Sequence, residues 1–346
     1  MLQIPTTPQA ITSDWLSHVL DTEVSGCELL DAHAGTTGRA VVALRDAQQV
    51  ALPDRLFVKL PPEDPMQRAF VTSAGMGVRE ARFYHQLAAQ VPVRLPHCYH
   101  ADWEDSGESY IMLLEHLEDS GCTFNNASQH YSLDYLRKVL AAFARLHAAY
   151  WGAPEFDNEL AWVQPPLQHA IAIDLIKVAM EQYEARMPPV FGAMARLYLE
   201  HTDAVHDLWQ QGAPTLVHGD VHDANLFLDG EEPGFLDWAL VARAPAMRDV
   251  GYFLAGTLTA EHRAAHDREL VAFYRDQLLA NGAQAPAMDV LWQQYQWHAA
   301  YVWVGAAVSL AMGDEWQPRS YLLAALERLH PALEALDTVE AIRSAL

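Results

Sequence analysis

Cysteine is scarce. Cys27, Cys98 and Cys122 are the three thiols in 346 residues, with no CxxC spacing. That excludes a disulfide-built scaffold and leaves small buried hydrophobes as their expected role. Positive charge is scarce too. Lys plus Arg number 22 against 45 Asp plus Glu, a formal net charge of −23. A surface of that sign repels phosphate backbones, so neither nucleic acid nor an anionic membrane is an expected partner. Long apolar runs are missing. The stretch Ala299–Met312 is too short to span a bilayer and reads as a buried helix. Met1–Leu20 lacks the basic n-region and long apolar core of a secretory leader. Repeats and low-complexity tracts are absent, and so is a GxSxG string, which excludes a hydrolase built on a serine elbow. What remains is 51% hydrophobic and only 19% charged, enough for a sizeable core and incompatible with general disorder. The expectation is a soluble, cytoplasmic, acidic protein of two or three domains or one two-lobed unit.

The texture changes along the chain. Val41–Leu44, Leu56–Leu60, Cys98–Trp103 and Tyr110–Leu114 read as short strands, interrupted by one helix near Val78–Gln90. Beyond residue 130 the periodicity is helical. Leu136, Val139, Leu140, Phe143 and Leu146 recur every three or four residues within Leu133–Tyr150. Similar patterns span about 190–211, 259–281, 287–312 and 318–345. Between them lies a non-helical island, Thr215–Asp237. There two short apolar runs flank Asp229-Gly230 and Pro233-Gly234, the signature of a small hairpin. The composition shift at Leu117–Asn126 marks a boundary. It divides a β-rich lobe, residues 1–117, from a helical lobe, residues 118–346, with a cleft between as the expected ligand site.

The island carries the chemistry. It opens His218-Gly219-Asp220-Val221-His222-Asp223-Ala224-Asn225 and closes Leu236-Asp237-Trp238. A hard cation such as Mg²⁺ takes oxygen ligands and completes its shell with water and phosphate. The Asn225 amide and the Asp237 carboxylate supply such oxygens, and Asp220 is then free to orient a hydroxyl and accept its proton. That division of labour is the phosphoryl-transfer template. Any one of these residues alone reads as turn chemistry or an N-cap; the joint spacing is far rarer.

A second constellation lies upstream. In Leu56-Phe57-Val58-Lys59-Leu60 the alternation places Lys59 on one strand face with Phe57. Glu80 falls on the same helix face as Phe83, Tyr84 and Leu87, where an unpaired carboxylate is costly. A Lys59–Glu80 ion pair follows, with the ammonium aimed at nucleotide phosphates. The alternative is a snorkelling lysine and a solvated glutamate. Gly35-Thr36-Thr37-Gly38-Arg39 lies between strands, and its backbone, Thr37 included, reads either as a phosphate cradle or as a plain hairpin turn.

Taken together these phrases resemble the aminoglycoside phosphotransferase and choline kinase superfamily, and most of all its ecdysteroid-kinase-like bacterial branch. Val78-Arg79-Glu80-Ala81-Arg82-Phe83-Tyr84, Arg145-Leu146-His147 and Arg248-Asp249-Val250-Gly251-Tyr252 add to the likeness, in the right order from about residue 25 to beyond 300. The resemblance implies an α+β, protein-kinase-like bilobal fold. Its small β-rich N-lobe holds an antiparallel sheet and one main helix, and its C-lobe is larger and mostly helical. It implies ATP- and Mg²⁺-dependent phosphorylation of a small-molecule hydroxyl. By position Asp220 corresponds to the catalytic base, Asn225 and Asp237 to metal ligands, and Lys59 with Glu80 to the phosphate anchor. His218 and Asp249 correspond to supports of the catalytic loop. Backbone groups at Glu115 and Leu117 correspond to the adenine edge. Asp237 is followed by Trp238-Ala239 rather than Phe-Gly, so protein-kinase activation-loop logic does not transfer.

Three rival readings compete with this one. Asp220-Val221-His222 matches the opening ligand pair of metallophosphoesterases, but their later ligand motifs are missing. His218 and His222 invite a zinc site, but no further ligands stand at zinc-like spacing. A catalytically degenerate kinase-fold protein is the remaining alternative, although the base, both metal ligands and the lysine are all present. The acceptor is either an apolar alcohol against Trp292, Trp297, Trp303 and Trp316 or an aminoglycoside-like amine drawn by the acidic surface. Core packing is the competing role for each Trp.

Overall fold

The computed structural model describes residues 3–33, 37–45, 52–124, 131–168 and 170–346. Gly35 and Thr36 of the glycine-rich turn, and residues 125–126 of the expected boundary, lie outside them. The chain forms two units, Met1–Asn125 with Leu226–Val241, and Asn126–Asn225 with Ala242–Leu346. The division therefore falls later than residue 117. The hairpin of the island joins the first unit although it lies deep in the second half of the sequence.

The first unit is built on a five-stranded antiparallel sheet. Its strands are β1 (Gly26–His33), β2 (Gly38–Arg45), β3 (Arg55–Leu60), β4 (Cys98–Trp103) and β5 (Tyr110–Glu115), in the order β1-β2-β3-β5-β4. Period-2 alternation sends Leu56, Val58 and Leu60 of β3, with Ile111 and Leu113 of β5, into a core shared with Trp15 and Leu16. Those two come from helix α1 (Ser13–Val19), whose first turn is capped by Thr12. Helix α2 (Pro65–Ser73) starts at Asp64, which accepts from the Met66 and Gln67 amides. Helix α3 (Met76–Gln86) packs on β4 and β5. Gly77 permits that approach, because a Cβ there would lie 2.0 Å from the Tyr110 ring. A short strand β6 (Thr123–Phe124) completes a three-stranded sheet with β8 (Leu226–Asp229) and β9 (Glu232–Phe235).

The second unit is mostly helical. Helix α4 (Leu133–Ala149) begins at Ser132, whose hydroxyl accepts from the Tyr135 amide. Helices α5 (Ile171–Tyr183), α6 (Pro189–Glu200) and α7 (Thr202–Trp209) lead to strand β7 (Pro214–Val217), which pairs with β10 (Ala242–Pro245). Helices α8 (Met247–Thr257), α9 (Ala260–Ala280), α10 (Met288–Met312), α11 (Arg319–Ala335) and α12 (Thr338–Arg343) follow. Helix α10 is apolar around most of its circumference and is packed by α5, α8, α11 and α12. Its residues Trp297 and Trp303 are core side chains, which takes both out of any acceptor wall.

Several expected elements are shorter or divided. The pattern at 190–211 is two helices, broken at His201, whose ψ of 32° leaves the helical region. The pattern at 318–345 breaks at Asp337, which is left-handed with φ +50°. Helix α3 ends at Gln86 and a 3-10 turn carries on through Ala88–Gln90. Among the described residues the first unit adds the helices α1 and α2 to the one main helix expected, α3. Cys122 is buried as expected, but Cys27 and Cys98 are only half-buried. Among the described residues no helix is long and apolar enough to cross a membrane.

Candidate active site

In the first unit, Lys59 and Glu80 meet. Lys59 Nζ lies 2.5 Å from Glu80 Oε2 and 3.0 Å from Asp237 Oδ1. The Lys59 side chain is 4% exposed and that of Glu80 fully buried. Alternation along β3 sends Lys59 away from the Leu56–Val58–Leu60 core, toward α3, whose inward stripe carries Glu80. The other Glu80 oxygen accepts from the Trp238 amide at 3.2 Å. Trp238 stacks on Phe83 of α3, with ring centroids 4.1 Å apart and planes within 8°. So the residue after Asp237 is anchored twice to α3, and Asp237 itself adopts a left-handed φ of +63°. A non-glycine residue held in that region is strained and marks a constrained position. Burial pushes Glu80 up to about 7, with the Lys59 charge opposing and the Asp237 charge adding to it. Arg39 Nη2 reaches Asp237 Oδ2 at 3.5 Å.

Thr37 is buried, and its hydroxyl has no hydrogen-bond partner among the described residues. At the end of β5, the Glu115 side chain is engaged within the unit. Arg94 clasps it with two bonds of 2.7 and 2.8 Å and also holds Asp229 at 2.7 Å. Burial would raise Glu115, but the Arg94 bonds prevail and bring it down to about 2. The Glu115 amide donates to the His97 carbonyl, and the Leu117 carbonyl accepts from Cys122. Each residue thus has one backbone group engaged within the unit.

In the second unit, the loop after β7 is fixed by one buried acid. Asp249 of α8 accepts from the His218 amide at 2.7 Å and from the Gly219 amide at 2.8 Å. His147 of α4 approaches the same carboxylate at 3.3 Å and bonds the Tyr274 hydroxyl at 2.8 Å through its other ring nitrogen. Burial would raise Asp249, but the His147 and Gly219 bonds outweigh it and keep it below the ordinary carboxylate range. Gly219 has φ +86°, open to glycine at little cost. The His218 ring accepts from the Asp220 amide at 3.2 Å.

So held, Asp220 keeps a partly exposed carboxylate, 30% accessible. Tyr252 donates to its Oδ1 at 3.0 Å, and Asn225 Nδ2 lies 2.9 Å from its carbonyl and 3.3 Å from Oδ2. Tyr301 of α10 donates to the Gly219 carbonyl at 2.9 Å, and its ring lies 3.6 Å under the Arg248 guanidinium.

The structure therefore brings Lys59, Glu80 and Asp237 together in one unit, and Asp220 and Asn225 in the other. Sequence reasoning did not assign Tyr252, Tyr301, Arg94 or the Arg39–Asp237 contact. Tyr252 was within reach, since it closes the Arg248–Tyr252 phrase beside Asp249. Among the described residues no group of three or more His, Cys, Asp or Glu could hold a metal ion, as a zinc site would require.

The antiparallel sheet of the first unit and the helical second unit match kinase-like folds. A family model of ecdysteroid kinase-like proteins matches residues 31–285, and the chain belongs to that family. It is by that class a small-molecule kinase with a hydroxyl acceptor. Solved structures share the fold. A proposed aminoglycoside phosphotransferase from Ralstonia eutropha superposes with a TM-score of 0.57 at 14% identity, covering 95% of this chain and 97% of that one. The GDP complex of aminoglycoside 2'-phosphotransferase-IIIa gives 0.53 at 13% identity, over 92% and 96%. Choline kinase LicA from Streptococcus pneumoniae gives 0.51 at 13% identity, over 92% and 97%. No curated protein sequence matches the chain.

Proposed function

We propose that the chain transfers the terminal phosphoryl group of ATP, taken as its Mg²⁺ complex, to a hydroxyl of a small molecule. The observation that carries this reading is the Lys59–Glu80–Asp237 cluster. A buried ammonium shared by two carboxylates, one of them partly exposed, is the charge pattern of a phosphate anchor beside a metal ligand. Lys59 grips the phosphate chain and Glu80 holds its ammonium in place. Asp237 and the amide oxygen of Asn225 are the proposed metal ligands. The bound Mg²⁺ would supply charge neutralisation between the β- and γ-phosphates.

Asp220 orients the acceptor hydroxyl and takes its proton as the bond to phosphorus forms. Tyr252 and the Asn225 amide keep its carboxylate in one rotamer. Asp249, through the His218 and Gly219 amides, keeps its backbone in place. The adenine edge is assigned to backbone groups of Glu115 and Leu117, and the Thr37 hydroxyl to a phosphate oxygen. Arg94 fixes the Glu115 side chain clear of that edge.

Calorimetric titration with Mg²⁺ and ATP tests the reading. The wild type binds, and Asp237→Ala loses metal-dependent binding. An unchanged titration of Asp237→Ala removes that residue from the metal site. Phosphate transfer to a panel of amine-bearing sugars and apolar alcohols then identifies the acceptor class, and transfer to no hydroxyl of either kind returns weight to the degenerate-kinase alternative.

A further inference from the structure

Arg39 has a place that the proposed function does not use. It stands in β2 directly opposite Lys59 in β3. Like charges facing each other across an antiparallel pair repel unless something anionic lies between them. Here the anion is Asp237, with Lys59 on one oxygen at 3.0 Å and Arg39 on the other at 3.5 Å. The two cations are held very differently. Lys59 is buried and has Glu80 as a second partner at 2.5 Å. The Arg39 side chain is 45% exposed, and a pair of that exposure and length is weak.

The backbone around Arg39 is nonetheless fixed. A Cβ on Gly38 would fall 2.7 Å from the Pro61 carbonyl oxygen, so the start of β2 is pressed against the end of β3. Thr37, two residues before Arg39, contributes the buried hydroxyl that has no partner among the described residues. A rigid strand start thus presents a loosely held guanidinium and an unused hydroxyl beside the anchored ammonium. That set suits an anion with several oxygens, and a planar guanidinium fork matches phosphate.

We propose that Arg39 is a nucleotide-phosphate ligand that occupies Asp237 as a substitute cation and passes to the phosphate chain when the divalent metal takes the carboxylate. The inference rests on the nucleotide site proposed above. Asp237 is the shared element. A metal ion on its oxygens competes more readily with the exposed Arg39 at 3.5 Å than with the buried Lys59 at 3.0 Å.

The test is equilibrium binding of ATP by calorimetry across a Mg²⁺ series, with wild type, Arg39→Ala and Arg39→Lys. Arg39→Ala is expected to weaken ATP binding at saturating Mg²⁺ by about 10- to 100-fold, the worth of a charge-assisted bond. The Mg²⁺ concentration needed for half-maximal binding is expected to fall, because Asp237 has lost a competitor. Arg39→Lys keeps the charge without the fork and should lie between the two. Absence of ATP binding to the wild type at any Mg²⁺ concentration overturns the nucleotide site itself and this inference with it. Wild-type binding with unchanged affinity in Arg39→Ala overturns the inference alone. Weakened affinity with an unchanged or higher Mg²⁺ requirement overturns the exchange at Asp237.

Discussion

The phenolic hydroxyl of Tyr252 donates a hydrogen bond to Oδ1 of Asp220 at 3.0 Å. Tyr252 lies three positions after Asp249, so one turn of α8 carries both the side chain that orients the Asp220 carboxylate and the one that pins its backbone. Tyr252→Phe removes only the hydroxyl. Turnover is expected to fall about tenfold, near the worth of one hydrogen bond to a charged group, with the KM for nucleotide unchanged. A parallel rise in nucleotide KM would show that Tyr252 acts on more than Asp220.

Asp220→Asn separates binding from chemistry. The amide keeps the size of the side chain but cannot take up the hydroxyl proton. Steady-state kinetics should show turnover lower by roughly 10²- to 10⁴-fold, while calorimetry shows near wild-type affinity for nucleotide. Equal loss of affinity would count against the role of base.

The buried cation of the first unit governs stability as well. Lys59→Met leaves Glu80 buried beside Asp237 without the ammonium, and thermal unfolding should report a loss of about 3 kcal/mol or more. The double variant Lys59→Met/Glu80→Leu should recover much of it while still failing to bind nucleotide. No recovery would mean that Glu80 is held mainly by the Trp238 amide.

Stability in mild acid reports on His298. It is fully buried in α10, and neither ring nitrogen has a hydrogen-bond partner among the described residues. Burial, with the Arg248 charge adding, pushes it down from 6.5 to about 3. The unfolded state therefore binds the extra proton between those values, so this contribution is present above pH 6.5 and is lost as pH falls toward 3. Between pH 7 and pH 5 the loss is about 2 kcal/mol. Denaturant melts of His298→Leu should show a shallower decline over that interval; the same decline as wild type would assign it to His206 or His330, which burial also lowers, each to about 4.

Strand β3 was legible from its period-2 alternation, and β5 from the unbroken apolar run Tyr110–Leu114. Strand β1 was not, because it lies at the sheet edge and Glu28–His33 are exposed, which erases the alternation. The Lys59–Glu80 pair was legible because a carboxylate on an otherwise apolar stripe must find a cation. The contact of Arg39 with Asp237 was not, since it depends on the pairing register of β2 with β3 and on a left-handed residue. Assignment of Leu226–Val241 to the first unit was equally hidden, because sequence proximity to Asn225 argues for the other one. Tyr252 and Tyr301 look like ordinary core aromatics until the bonds of their hydroxyls are seen.

The most direct test of a Mg²⁺-dependent phosphotransferase site is thermal unfolding with ATP, GTP and ADP, each with and without Mg²⁺. A ligand that binds only the folded state adds about 2.7 kcal/mol at 100 times its dissociation constant. The account predicts a rise in Tm with purine nucleotide that requires Mg²⁺ in the wild type and disappears in Asp237→Ala. No shift with any nucleotide at millimolar concentration would contradict it.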